Sequence, residues 1–191
     1  MNLLEIIAVA LGLANVGLLV RRSIWNYPFG MAMVALYFVI FREARLYGEA
    51  GLQVFFFVVQ GWGWLLWARA GGLAESITVA WMGWRARLIA LALALVSSLG
   101  IGWAMATYTL AALPYADAAI AGASVVAQVL LGLRRVENWL LWIAVDVLAI
   151  GVYVNRGLYL TAALYCAFLG LAIAGLIAWA RAAREGKALA A

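Results

Sequence analysis

The sequence predicts an all-α integral membrane protein with seven transmembrane helices. Three observations predict it. The 191-residue chain is 69% hydrophobic and only 11% charged. It divides into seven apolar runs, each close to the roughly 20 residues that a spanning helix needs. Its thirteen basic residues fall almost entirely between those runs, and mostly on one side. A soluble domain carries about 25% charged residues, because its surface faces water. With a mean hydropathy of +1.06 this chain cannot build such a surface. Soluble enzymes, nucleic-acid-binding modules and disordered tails are excluded, and the expected surroundings are a lipid bilayer.

The runs follow in order. Span one, Leu3–Val20, is closed by Arg21 and Arg22. Span two, Trp25–Phe41, has Pro28 in its first turns, where a missing amide donor is tolerated. Span three, Gly51–Ala68, ends at Arg69. Span four, Leu88–Leu110, follows a loop holding Arg85 and Arg87. Span five, Tyr115–Leu133, begins just after Pro114. Span six, Asn138–Val154, follows Arg134 and Arg135. Span seven, Leu158–Trp179, precedes a charged tail that reads as a solvated cytoplasmic end. The opening residues Met1 to Glu5 hold no basic segment, so no cleavable signal peptide is expected.

Charge sets the orientation. With the N-terminus outside, ten of the thirteen Lys and Arg residues lie inside, and only Arg42, Arg45 and Arg156 lie outside. The positive-inside rule therefore predicts N-out, C-in.

A shift of 112 positions aligns the first three spans with the last three. Arg22 falls on Arg134, Asn26 on Asn138, and Leu46-Tyr47 on Leu158-Tyr159. Gly63 falls on Gly175, Trp67 on Trp179, and Arg69 on Arg181. Three spans end on the opposite side from their start. Span four restores that side, so the two copies run parallel as 3+1+3. Residues 1–69 form the first three-helix repeat and 70–114 the loop and linking helix. Residues 115–181 form the second repeat and 182–191 the cytoplasmic tail. Parallel repeats are a transporter architecture, with substrate held near the midplane. A duplicated bundle without transport is the alternative.

Absences narrow the chemistry. There is no histidine and one cysteine, Cys166. No catalytic residue, metal site or cofactor is expected, and the chain is not expected to be an enzyme. Cys166 reads as a small core residue. A retinal-binding receptor would need a lysine within a span, and the single lysine, Lys187, is in the tail.

One carboxylate stands apart. Asp146 lies at the middle of span six, and no Lys or Arg lies at similar depth. Such a residue costs about 2.5–3.5 kcal/mol to insert, so it marks a functional candidate. The bland reading is a helix–helix hydrogen bond. At about 100° per residue, Trp139, Trp142, Asp146 and Tyr153 share a stripe about 60° wide. Indole faces attract a cation, and a carboxylate balances its charge. The stripe suits a flat cationic aromatic ligand. Gln53, Gln60, Trp64 and Trp67 form a second stripe, on span three, and Asn26, Gly30 and Tyr37 align on span two. Two glutamines in a span need polar partners, from neighbouring helices or from a ligand. Ser124 and Gln128 read as structural, bonding across helices. Trp81, Trp84 and Trp179 read as interfacial anchors. Gly12, Gly30, Gly100, Gly102, Gly122, Gly170 and Gly175 fit close helix packing.

The segment Arg134-Arg135-Val136-Glu137-Asn138-Trp139-Leu140-Leu141-Trp142, with Gly157-Leu158-Tyr159-Leu160-Thr161-Ala162-Ala163-Leu164-Tyr165, closely resembles the Pnu family of vitamin transporters. So does Ser23-Ile24-Trp25-Asn26-Tyr27-Pro28-Phe29-Gly30, with Arg45-Leu46-Tyr47 and Gly51-Leu52-Gln53-Val54-Phe55-Phe56. The likeness covers nearly the whole chain and is weakest in span four. It is greatest to the members that carry nicotinamide riboside; others carry thiamine. It implies a fold like the full-length SWEET sugar transporters. It implies uptake by facilitated diffusion, with a cytoplasmic vitamin kinase trapping the substrate by phosphorylation. It implies a homotrimer. The Trp-x-x-Trp pair of span six, Trp139 and Trp142, would line the substrate site. Gln53, Gln60, Asn138 and Asp146 would join it. Some nicotinamide riboside carriers have Asn where this chain has Asp146, which leaves nicotinamide riboside and thiamine both open. Both are flat cations. Riboflavin is neutral and larger, and gives Asp146 less purpose. A proton-coupled transporter using Asp146 is the remaining alternative.

Overall fold

A computed structural model describes residues 3–43, 47–71, 77–108 and 113–189. It contains seven helices: α1 Leu3–Val20, α2 Asn26–Glu43, α3 Tyr47–Arg69, α4 Trp84–Tyr108, α5 Pro114–Gly132, α6 Asn138–Asn155 and α7 Tyr159–Leu189. Each predicted span lies on one of them. Six are long and apolar enough to cross a membrane. The exception is α2, whose 18 residues include Asn26 and Pro28 at one end and Arg42 and Glu43 at the other. Those polar ends dilute a hydrophobic middle.

One boundary differs clearly from the sequence reading. The helix does not stop with span seven at Trp179, because α7 continues through the tail to Leu189. Ala180, Ala182 and Ala183 are strong helix formers, and Arg181, Arg184 and Glu185 are nearly as good. Hydropathy ends at Trp179, but helix propensity does not. Arg45, Leu46 and Glu75 lie outside the described residues, as does the end of the chain beyond Leu189.

The chain divides into two compact units. The first holds Met1–Thr78 with Gly132–Arg134, and in it α2 packs on both α1 and α3. The second holds Val79–Leu131 with Arg135–Ala191, and in it α6 packs on α7. A cluster of Ala90, Ala94, Val126 and Leu130 joins α4 to α5 in the second unit, covered by Met82 and Leu141.

Small residues allow the close approaches. In the first unit a Cβ on Gly63 would overlap the Tyr27 ring. In the second, Gly102 lies under Tyr115, Gly122 against the Ser98 backbone, and Gly175 against the Trp139 indole. Gly100 and Gly170 have nothing near their Cβ positions, so the packing role expected for them is not met. Both lie on exposed helix faces.

Those faces are apolar. Along α4, Leu88, Leu91, Leu95, Val96 and Leu99 are all more than half exposed. Water would penalise such a surface by about 25 cal/mol per Å², whereas lipid does not. Cys166 lies on an equivalent face of α7, exposed, rather than in the core as expected. An apolar run does not say which of its sides meets lipid.

Positions 112 apart share local structure. After α1, Arg22 adopts φ 55°, and after α5, Arg134 adopts φ 60°. The next amide reaches back to the helix in both turns: Ser23 to the Leu18 carbonyl at 3.0 Å, Arg135 to that of Leu130 at 2.9 Å. This is a Schellman ending with arginine where glycine is usual. The left-handed conformation costs a non-glycine residue about 1 kcal/mol, and the chain bears it at both positions. Gly157 supplies the same conformation after α6 at no such cost, with φ 71°.

Candidate functional site

The entry to α6 is built first from its backbone. Asn138 is fully buried, and its Nδ2 donates to the Arg135 carbonyl at 2.6 Å. Asn26, at the start of α2, donates to the Ser23 carbonyl at 2.7 Å in the same way. Both asparagines therefore brace the turn that precedes their helix. The Asn138 Oδ1 remains buried without a hydrogen-bond partner among the described residues.

The strand-like segment before α4 closes over this entry. Ala80 pairs with Arg135 in a parallel bridge, and its carbonyl accepts from the Val136 amide at 3.1 Å. Glu137 is buried, and its Oε1 accepts from the Met82 amide at 2.9 Å and from Arg87 Nε at 2.7 Å. Trp81 lies under the Arg87 guanidinium at 5.5 Å. At the other end of α6, Arg156 pairs with Asp117 of α5 at 2.7 Å. None of this clasp was expected from sequence, where Glu137 read only as a span-end charge.

The stripe on α6 separates into two environments. Trp139 is 1% exposed and meets Trp179 edge to face at 5.6 Å. Its Nε1 has no hydrogen-bond partner among the described residues. Trp179 is fully buried, so it packs against Trp139 rather than anchoring at an interface as expected. Trp142 and Tyr153 are half-buried, and Tyr153 lies 5.1 Å from Tyr165 of α7. Asp146 is 5% exposed. Its carboxylate forms no ion pair or hydrogen bond with a described residue. The helix–helix hydrogen bond that would explain it structurally is absent among the described residues. On α6, then, a buried acid shares a face with a partly open indole and phenol.

The first unit gathers a different set. Tyr27 is buried and meets Trp67 edge to face at 5.3 Å. Gln60 is buried, and its Oε1 lies over Gly30 together with the amide of Asn15. The two amides fill the space that a side chain at position 30 would take. Asn15 was missed from sequence, where a lone polar residue in α1 has no periodic partner to mark it. Gln53 is half-buried, and Trp64 is 39% exposed, apart from the buried Gln60 and Trp67 of its stripe. Tyr37 is half-buried and stacks on Phe41 at 5.6 Å. Ser124 of α5 donates to the Ile120 carbonyl of its own helix at 2.8 Å, not across helices as expected.

The sequence pattern of the family described as "Nicotinamide mononucleotide transporter" matches residues 2–181. The chain belongs to this family. Among proteins similar to this chain is the nicotinamide riboside transporter PnuC of Escherichia coli (strain K12). It is 29% identical over 207 residues, covering 95% of this chain and 87% of the relative. The riboflavin/roseoflavin transporter RibM of Streptomyces davaonensis is 27% identical, covering 93% of this chain and 81% of its own. A solved structure, the crystal structure of the vitamin B3 transporter PnuC, matches with a TM-score of 0.78 at 28% identity. It covers 95% of this chain and 82% of that one. The Pnu resemblance read from the sequence is thus correct, and the chain is a multi-pass protein of the bacterial inner membrane.

Proposed function

We propose that this protein carries a flat cationic B-type vitamin, nicotinamide riboside above all, into the cell. The observation that carries the proposal is Asp146: an acidic residue 5% exposed, within an apolar helix, paired with no described residue. A buried acid without a partner favours a cation that arrives. Trp142 and Tyr153, half-buried on the same face, offer aromatic surface to a pyridinium ring. Trp139, packed edge to face on Trp179, and Asn138, with one oxygen unpaired among the described residues, complete the proposed set on α6. In the first unit Gln53, Gln60, Trp64, Asn26 and Tyr37 are the remaining candidates for contacts to the polar part of the vitamin.

In this reading α2 also crosses the membrane, which makes seven spans, and the chain is organised as 3+1+3. Residues 1–69 and 115–181 are parallel repeats, 70–114 hold the link, and the N-terminus lies outside. The matched turns at Arg22 and Arg134 support the repeat. Transport is facilitated diffusion by alternating access. A cytoplasmic kinase sustains uptake by phosphorylating the vitamin, and the working assembly is a homotrimer. The names carried by the E. coli relative and by the solved structure support the substrate.

The experiment is a binding titration of the purified protein with nicotinamide riboside and thiamine side by side. Tighter binding of nicotinamide riboside supports the proposal. If thiamine alone binds, the family reading stands and the substrate is wrong. Uptake into kinase-free vesicles that collapses with an uncoupler replaces facilitated diffusion by proton coupling through Asp146.

A further inference from the structure

A second site lies in the second unit, away from the α6 stripe. It is an open groove of about 260 Å³ lined by Trp81, Leu176, Ile177, Ala180, Arg181 and Arg184. Five of these are on one side of α7, at helical spacing. Along the helix the lining changes from apolar at Leu176 and Ile177 to basic at Arg181 and Arg184. At 1.5 Å per residue that change takes place within about 12 Å. Trp81 joins the lining from the segment before α4.

Neither arginine forms an ion pair with a described residue. Glu185, one residue on, pairs with neither. By contrast, Arg87 nearby is taken up by Glu137 at 2.7 Å. The groove thus presents two uncommitted guanidinium groups beside an indole, above an apolar wall. Guanidinium groups bind phosphate oxygens with matched geometry. Indoles favour the level of the lipid headgroup. The apolar wall suits an acyl chain.

We infer that this groove binds the phosphate of an anionic phospholipid, with Arg181 and Arg184 on the headgroup and the acyl chain along Leu176 and Ile177. Basic pockets at helix ends select anionic lipid through such charge, and each arginine near the surface contributes several-fold in affinity. The site is independent of the vitamin stripe, so it stands or falls separately from the proposed substrate.

The test uses the full-length protein in nanodiscs of equimolar dioleoyl-phosphatidylglycerol and dioleoyl-phosphatidylcholine. After transfer to detergent, retained lipids are counted by native mass spectrometry. The wild-type protein retains phosphatidylglycerol over phosphatidylcholine by about tenfold. The Arg181→Gln/Arg184→Gln variant loses most of that preference, while its nicotinamide riboside titration matches wild type. Trp81→Ala weakens retention without abolishing the charge preference. No preference in the wild-type protein overturns the inference without recourse to any variant. So does a preference unchanged in the double variant. Displacement of the retained lipid by inorganic phosphate alone overturns the lipid assignment in favour of a free phosphate.

Discussion

Trp139 meets Trp179 edge to face, with ring centroids 5.6 Å apart and planes at 88°. Tyr27 and Trp67, each 112 positions earlier, meet at 5.3 Å and 86°. Each pair is wedged against a glycine, Gly175 in one and Gly63 in the other. Aromatic contacts of this kind contribute about 0.5–1.5 kcal/mol beyond the area they bury.

The glycines make the pairs possible, so enlarging them has a defined effect. Gly175→Ala and Gly63→Ala each destabilise the protein by about 1–3 kcal/mol, because the added methyl overlaps a ring held in place by another. Gly170→Ala is the control, since its Cβ meets nothing and helix propensity slightly favours alanine. Thermal unfolding in one detergent checks all three. Equal stability for Gly175→Ala and Gly170→Ala contradicts the packing described.

Asn26 and Asn138 use their amide nitrogens to hold the Ser23 and Arg135 carbonyls. Aspartate has the same shape but no donor. Asn26→Asp and Asn138→Asp each cost about 1–3 kcal/mol, from the lost bond and from a charge placed against a carbonyl in a buried site. The effect appears as a lower unfolding temperature that recovers partly at acid pH, where the new carboxyl is protonated and donates again. A cost that does not change with pH argues against a donor role.

Glu137 joins the segment before α4 to the start of α6 through Met82 and Arg87. Glu137→Gln keeps an acceptor but removes the charge. The loss is about 1 kcal/mol, because the Arg87 side chain is half exposed and water screens the pair. Arg87→Gln leaves a buried carboxylate with only an amide for company and costs at least as much. Denaturation of the two single variants and the double variant gives their coupling. A coupling of zero would show that the pair is incidental.

The seven helices and the family were legible because each rests on long patterns. Apolar length marks a spanning helix, and matched Asn, Arg and Trp positions stand out against a Leu- and Ala-rich background. Single residues were less legible. Trp179 has the flanking arginine and terminal position of an interfacial anchor, yet it is buried against Trp139. Spacing cannot separate the two, because both put an indole at a helix end. Cys166 and Gly170 were misread for a related reason: in lipid, the outward face of a helix is as apolar as the inward one. The Ala80–Arg135 bridge joins residues 55 apart through backbone alone, which leaves no mark in side-chain pattern. Asp146 was visible because charge at mid-span is rare. Its burial without a described partner is what the structure adds.

Trp142 and Asp146 divide the work of holding a cation, one by its ring face and one by its charge. Trp142→Ala weakens nicotinamide riboside binding by about tenfold, or about 1.4 kcal/mol. Isothermal titration of the purified variant checks this. Unchanged affinity removes Trp142 from the site.

The central claim is that Asp146 is the counter-charge of a transported cation. Titration of wild-type protein and Asp146→Ala with nicotinamide riboside, and with uncharged nicotinamide for comparison, tests it most directly. The account predicts a loss of at least about tenfold for the riboside in the variant, with little change for nicotinamide. Equal affinity of both proteins for the riboside would contradict it.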